Sequence, residues 1–289
     1  MTLFDSHAHF TGAIAAAGAS PRFDAAAIAA QLERAKAAGV RGVLSCGGGV
    51  ELDGGAIAAA RAAPGFALLA LGIGRDDAAE AAATPSALRA SLAAFRARIA
   101  KLESEGARLS AIGEIGLDFS RDPSSGEKDA QMALFAAQLD LSAELELPCT
   151  IHCRDAWDEM LQILAASGIG RRAAARESVL HCFTGSADSA AALLELGFCF
   201  GISGIATFNN AAALRAIVST LPRGKALLET DSPWLAPVPL RGRTNEPAWI
   251  AHICALVASL WGVAAEECAA ITTANAARVF NFNVANAKN

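Results

Sequence analysis

Tyrosine is absent from this 289-residue sequence, so no phenolic hydroxyl is available to hydrogen-bond a substrate. Cys-x-x-Cys pairs are absent too. The seven cysteines are scattered and odd in number, which argues against a disulfide framework and against a thiolate zinc site. Reduced, mostly buried thiols are expected. No dense Lys/Arg block appears, the formal net charge is −5 and the isoelectric point is near 5.6. The overall field therefore does not draw in nucleic acid, and any contact with it must be local. The longest uncharged run of interest, residues 250–265, contains His252 and falls short of the roughly 18 apolar residues of a membrane span. The chain begins MTLFDS, with no basic region ahead of an apolar stretch and no small-residue cleavage site. A cytoplasmic location without membrane association is expected.

What is present is apolar and helix-forming. Hydrophobic residues make up 53% and mean hydropathy is +0.35, much of it alanine in runs such as DAAAIAAQLERAKAAG. Short apolar runs alternate with helical patterns along the whole chain, as expected of successive βα units on a parallel sheet. Strands are predicted at residues 3–7, 42–46, 67–72, 110–114, 149–152, 178–181, 198–202 and 226–229. Helices are predicted at 24–38, 55–63, 86–105, 127–146, 156–166, 188–196, 211–220 and 246–260. In the third of these, Leu88, Leu92, Phe95, Ile99 and Leu102 share one face, Thr84-Pro85 starts the helix and Gly106 ends it. Eight such units predict a single α/β domain over residues 1–289, a (β/α)8 TIM barrel with an extra C-terminal helix at 265–279. A doubly wound open sheet is the alternative.

The stretch FDSHAHF places two of the five histidines within three residues. Side chains alternate faces along a strand, so His7 and His9 can point the same way and grip one metal ion. Two surface histidines close by chance is the plainer reading. His152 ends LPCTIH and His181 ends SVLH, both at carboxyl ends of predicted strands. Glu114 in AIGEIGLDF and Asp231 in LLETDSPW interrupt apolar strands, where an unpaired charge is costly unless a cation or hydrogen bonds compensate. Singly, each also fits a barrel-mouth residue bonded to backbone. In a barrel, however, the carboxyl strand ends converge on one mouth, so residues distant in sequence can meet there.

The segments DSHAHF, GEIGLDF, IHCRDA, HCFTG, ETDSPWLAP and NEPAWI, in this order, resemble the TatD family of metal-dependent deoxyribonucleases, within the amidohydrolase-like barrel hydrolases. The resemblance runs from Asp5 to about Phe280 and includes TTANAARVF. It implies an enzyme, a metal-dependent hydrolase of ester bonds that cleaves phosphodiesters with metal-activated water, with single-stranded DNA ends as partner at the barrel mouth. It also implies two divalent ions, Zn²⁺, Mn²⁺ or Mg²⁺. His7 and His9 would hold the first with Asp231, and Glu114 would bridge to the second, held by His152 and His181. Imidazole and carboxylate donors suit such ions, and a pair about 3.5–4 Å apart lowers the pKa of a water and polarises a phosphoryl oxygen. Asp231 is then placed to accept the water's proton, and Asp231 with Glu114 form the expected catalytic pair. Related barrels often bridge the ions with a carbamylated lysine, but Lys225 stands at the start of its strand, so Glu114 takes that position.

Arg154 follows His152 by two residues and can face the mouth, where its guanidinium suits a substrate phosphate; a salt bridge to Asp155 or Asp158 is the alternative. Asn245 and Glu246 match the family's loop after strand eight and are expected to orient that loop or a ligand. Asp118 is expected to make an outer hydrogen bond that supports the site. Cys153 and Cys182 are expected to be core thiols, and Gly201 and Gly204 to relieve crowding at a strand end. The sequence departs from the family at Phe119, where relatives usually carry tyrosine, and at Thr244, where a basic residue is common. These changes bear on substrate and leave the ligands untouched. A small ester, lactone, amide or phosphotriester is the alternative substrate for the same site, and a metal-binding scaffold without turnover is the non-enzymatic alternative. The chain is expected to be monomeric.

Overall fold

The protein is seen in a computed structural model that describes residues 1–11, 24–168 and 177–283. Eight parallel strands follow one another in chain order around a single sheet: β1 (Leu3–Ala8), β2 (Val40–Cys46), β3 (Ala67–Leu71), β4 (Leu109–Asp118), β5 (Cys149–Arg154), β6 (Val179–Leu180), β7 (Cys199–Ile202) and β8 (Ala226–Leu228). The helices between and after them are α1 (Ala25–Ala37), α2 (Val50–Ala62), α3 (Ala78–Ala81), α4 (Pro85–Ser104), α5 (Ser125–Glu144), α6 (Trp157–Ser167), α7 (Ala187–Glu195), α8 (Ala212–Thr220), α9 (Ile250–Trp261) and α10 (Ala265–Phe280). This is the (β/α)8 barrel that the alternation predicts, not an open doubly wound sheet. The ring is drawn together past β8: Asp231 N–H donates to His7 O at 2.9 Å, and His9 N–H donates to Ser232 O at 2.7 Å. Among the described residues no single helix is long and apolar enough to cross a membrane.

Local chemistry sets the helix boundaries. Asp24 accepts the N–H groups of Ala26 and Ala27 at 2.8 and 3.3 Å and starts α1. Thr84 accepts Ala87 N–H at 3.1 Å with Pro85 in the first helical position of α4. Ser124 and Glu127 cap α5 reciprocally. On α4 the buried residues are Phe95, Ile99 and Leu102, each worth about 1.5–3 kcal/mol on leaving water. The C-terminal helix lies across the amino ends of the strands. Thr273 donates to Thr2 O at 3.0 Å and Asn275 to Ala226 O at 2.8 Å, while Phe280 and Phe282 pack on Phe4 with ring centroids 6.0 and 5.0 Å apart.

Three elements differ from the sequence expectation. β4 continues past Glu114 to Asp118, because Gly116, Leu117 and Asp118 pair with His152, Cys153 and Arg154; the buried charge masks the strand's continuation. α2 begins at Val50, not at 55, since Gly54 and Gly55 lie inside the helix. Gly55 is required there, because a Cβ would stand 1.6 Å from Phe10 O. The third difference is α3, with the 3-10 turn Arg75–Asp77 before it. Polar, alanine-flanked residues in this short stretch carry no helical period, yet they bring Arg75 to the mouth of the barrel.

Candidate metal centre

The candidate ligands stand at or near carboxyl strand ends, except Glu114, which lies inside β4, and the contacts behind each one aim it. His7 and His9 approach with their Nε2 atoms 3.0 Å apart. Behind them, His7 Nδ1 lies 2.9 Å from Thr150 Oγ1, and His9 Nδ1 lies 2.9 Å from Cys46 O. A carbonyl only accepts, so His9 carries its proton on Nδ1 and turns the Nε2 lone pair toward the mouth. Glu114 lies within a register shift between Ile112 and Ile115 in the pairing of β4 with β5. Gly48, at φ +126°, passes so close that a Cβ there would lie 3.0 Å from Glu114 Cβ.

The Glu114 carboxylate divides between two pairs of imidazoles. Its Oε2 is 3.5 Å from His7 Nε2 and 3.3 Å from His9 Nε2. Its Oε1 is 3.1 Å from His152 Nδ1 and 3.3 Å from His181 Nε2. Asp231 faces the first pair, with Oδ1 3.6 Å from His9 Nε2 and 4.0 Å from His7 Nε2. Asp231 and Cys182 have φ of +53° and +47°, left-handed values that turn the chain sharply just beyond β8 and β6. On the second pair, His152 Nε2 is 3.0 Å from Asp118 Oδ2, and His181 Nδ1 is 3.6 Å from Glu229 Oε1.

Two residues that the sequence reading missed complete this arrangement. Arg75 donates to Glu114 Oε1 at 2.5 Å and lies 3.7 Å from Asp118 Oδ2. Glu229 is fully buried and accepts the N–H of Cys182. It occupies the space at Gly201, where a Cβ would lie 2.0 Å from Glu229 Oε2, so the glycine relieves crowding by this one carboxylate. Strand alternation could have found Glu229, two residues before Asp231; no local pattern marks Arg75.

Charge in the cluster is shared unevenly. Burial opposes ionisation of Glu114, but the Arg75 guanidinium and His181, with His152, hold its pKa well below the usual carboxylate range. Burial likewise disfavours a charged His181, yet Glu114 and Glu229 on either side push its pKa up to about 10. His7 moves the other way, well below its ordinary value, through burial and the neighbouring His181. Burial raises Asp231 to about 6. Behind the site, burial pushes Asp5 up to about 8 while it accepts Thr230 N–H at 2.9 Å and Thr230 Oγ1–H at 2.6 Å, tying β1 to the end of β8.

The donor set fits divalent cations. His7, His9 and Asp231 form one group, and His7, Glu114 and His181 another, each with ligand atoms within 4.8 Å of one another. His7 is shared between the groups, while His152 reaches Glu114 and His181 from the side of Asp118. The donors are nitrogen and oxygen only, as suits Zn²⁺, Mn²⁺ or Mg²⁺. Imidazole nitrogens and two carboxylates converge within reach of one another, the donor chemistry such a cation needs. His181 Nδ1 is buried without a hydrogen-bond partner, so its orientation rests on the ion pair with Glu229 and on whatever Nε2 holds.

A cavity of about 800 Å³ opens over the cluster, bordered by His9, Arg75, Glu114, Arg154, Asp231 and Trp234 among others. Arg154 is exposed there, and its guanidinium makes no ion pair with Asp155, Asp158 or any other described residue. Cys153 and Cys182 also border the cavity, a correction to the expectation that both lie only in the core. Asn245 does not border the cavity: of the two roles expected for it, orienting the loop or a ligand, the structure shows the first, which corrects its expected part in substrate binding. It is fully buried, its amide donating to Thr230 O at 2.8 Å and Trp234 O at 2.7 Å, because these loop carbonyls need a partner out of water.

A family model described as "TatD related DNase" matches residues 4–281. The uncharacterized metal-dependent hydrolase YabD of Bacillus subtilis is 40% identical over 173 residues, 60% of this chain and 66% of that protein, just under two thirds of its length. The 3'-5' ssDNA/RNA exonuclease TatD of Erwinia tasmaniensis is 37% identical over 256 residues, covering 87% of this chain and 92% of that one. Among solved structures, YJJV, a TatD homolog from Escherichia coli K12, superposes with a TM-score of 0.78 at 26% identity, over 97% of this chain and 98% of that one.

Proposed function

Since the chain belongs to the family of TatD-related DNases, we propose that it is a divalent-metal phosphodiesterase that removes nucleotides from single-stranded DNA ends, in the 3'-5' direction named for its Erwinia relative. The observation that carries this reading is the divided carboxylate of Glu114, with one oxygen toward His7 and His9 and the other toward His152 and His181. Such a carboxylate would offer one oxygen to each of two cations. One would be held by His7, His9 and Asp231, the other by His152 and His181. When bound, the ions supply the Lewis acidity that lowers the pKa of a water and polarises a phosphoryl oxygen.

The chain's own groups do the rest. Asp231, which faces His7 and His9 at the mouth, would take the proton from the attacking water. Arg154 meets the phosphate from the cavity wall. Asp118 and Glu229 hold the outer nitrogens of His152 and His181, which keeps their inner nitrogens turned to the site. The acidic protein makes only local contact with the strand, so the reaction occurs at an end that can enter the cavity. The seven free cysteines suit a reducing compartment such as the cytoplasm.

The test is incubation with labelled single-stranded and duplex DNA and Mg²⁺ or Mn²⁺, beside His181→Ala and Asp231→Ala. Metal-dependent shortening of the single strand by wild type alone is expected. No cleavage by wild type overturns the reading, and cleavage that survives both substitutions belongs to a contaminant.

A further inference from the structure

Large hydrophobic side chains exposed among the described residues are Met1, Leu145, Trp234 and Val238, and of these only Trp234 borders the cavity over the metal cluster. The residue is 42% exposed, and its ring centroid lies 5.1 Å from that of His9 at an interplanar angle of 70°. The backbone beneath it is pinned. Trp234 N–H donates to Asp231 O at 3.0 Å, and Asn245 holds Trp234 O at 2.7 Å. The next carbonyl, of Leu235, fits against Gly204 so tightly that a Cβ there would stand 2.1 Å from it. An indole left in water on a loop this constrained contributes little to packing; it is preorganised for something that enters the cavity.

We propose that Trp234 is the stacking platform for an unpaired nucleobase of the strand whose phosphodiester lies against Glu114 and Asp231. The assignment rests on the nuclease reading and gives it a selectivity. Every base has a π face, so stacking on indole tolerates any sequence. Bases in a duplex are already stacked on their neighbours, so an unpaired end is favoured. Arg154, exposed on the same cavity without an ion pair, supplies the charge for the backbone. Asn245 is a positioning residue that holds the platform in place.

The experiment measures kcat and KM on a single-stranded oligothymidylate, and on the same strand with abasic terminal nucleotides, for wild type, Trp234→Ala and Trp234→Phe. Circular dichroism and metal content establish that each variant is folded and loaded. Removing one base–aromatic stack weakens binding by roughly fivefold or more. Trp234→Ala should raise KM by that factor with little change in kcat, and Trp234→Phe should stay close to wild type. Abasic ends should impose the same KM rise on wild type and none further on Trp234→Ala. An unchanged KM in Trp234→Ala, or an equal penalty for abasic ends in wild type and Trp234→Ala, overturns the stacking role while the nuclease reading stands. If wild type neither shortens the strand nor shows quenching of its tryptophan fluorescence by it, both fall together.

Discussion

Arg75 is the side chain whose replacement probes the charge balance of the site most sharply. Glu114 is 4% exposed and keeps its charge through the Arg75 guanidinium at 2.5 Å and the surrounding imidazoles. Arg75→Met preserves much of the stem and removes the cation. Breaking a buried pair from one side costs about 3–5 kcal/mol. The Arg75 side chain is 21% exposed and His181 remains beside the carboxylate, so the lower end, about 3 kcal/mol, is the expected loss. For 289 residues the unfolding entropy is roughly 0.6 kcal/mol/K, which turns that loss into a fall in Tm of about 5 °C. Divalent cations compensate the same carboxylate, so the deficit should shrink to about 2 °C or less when they saturate the site. The assay is differential scanning fluorimetry of both proteins stripped with chelator, then titrated with Mn²⁺. Equal Tm values in chelator, or a deficit that Mn²⁺ leaves unchanged, would refute the reasoning.

Two further substitutions test the supporting shell. Asp118→Ala removes the partner of His152 Nε2, so binding of the ion that His152 and His181 would hold should fall about 10- to 100-fold by isothermal titration; unchanged affinity would show that His152 needs no such anchor. Asn245→Ala leaves the carbonyls of Thr230 and Trp234 unpartnered out of water and should cost about 1–3 kcal/mol in urea denaturation, with metal content unaltered. A stability within 0.5 kcal/mol of wild type, roughly the scatter of neutral surface changes, would deny the loop-holding role.

The barrel and the gathering of the candidate ligands were legible for one physical reason. Parallel strands deliver their carboxyl ends to a single mouth, so a polar residue closing an apolar run has a predictable destination. His7, His9, His152, His181, Glu114 and Asp231 all carried that mark. Arg75 did not, because its significance lies in Glu114, 39 residues away, and nothing local distinguishes it from a surface charge. β4 read as ending at Glu114 since burial of a charge inside a strand looks like a strand's end until its compensating partners are visible. Asn245 matched a motif in sequence, but whether a polar residue after a strand touches ligand or backbone is decided by loop geometry. Trp234 was equally silent: an aromatic residue in a sequence gives no sign of being exposed.

The central claim is that Glu114 divides its oxygens between two cations, and anomalous scattering from crystals grown with ample Mn²⁺ tests it most directly. Two peaks should flank Glu114, one beside His7, His9 and Asp231 and the other beside His152 and His181. A single peak, or peaks that Glu114 does not touch, would contradict it.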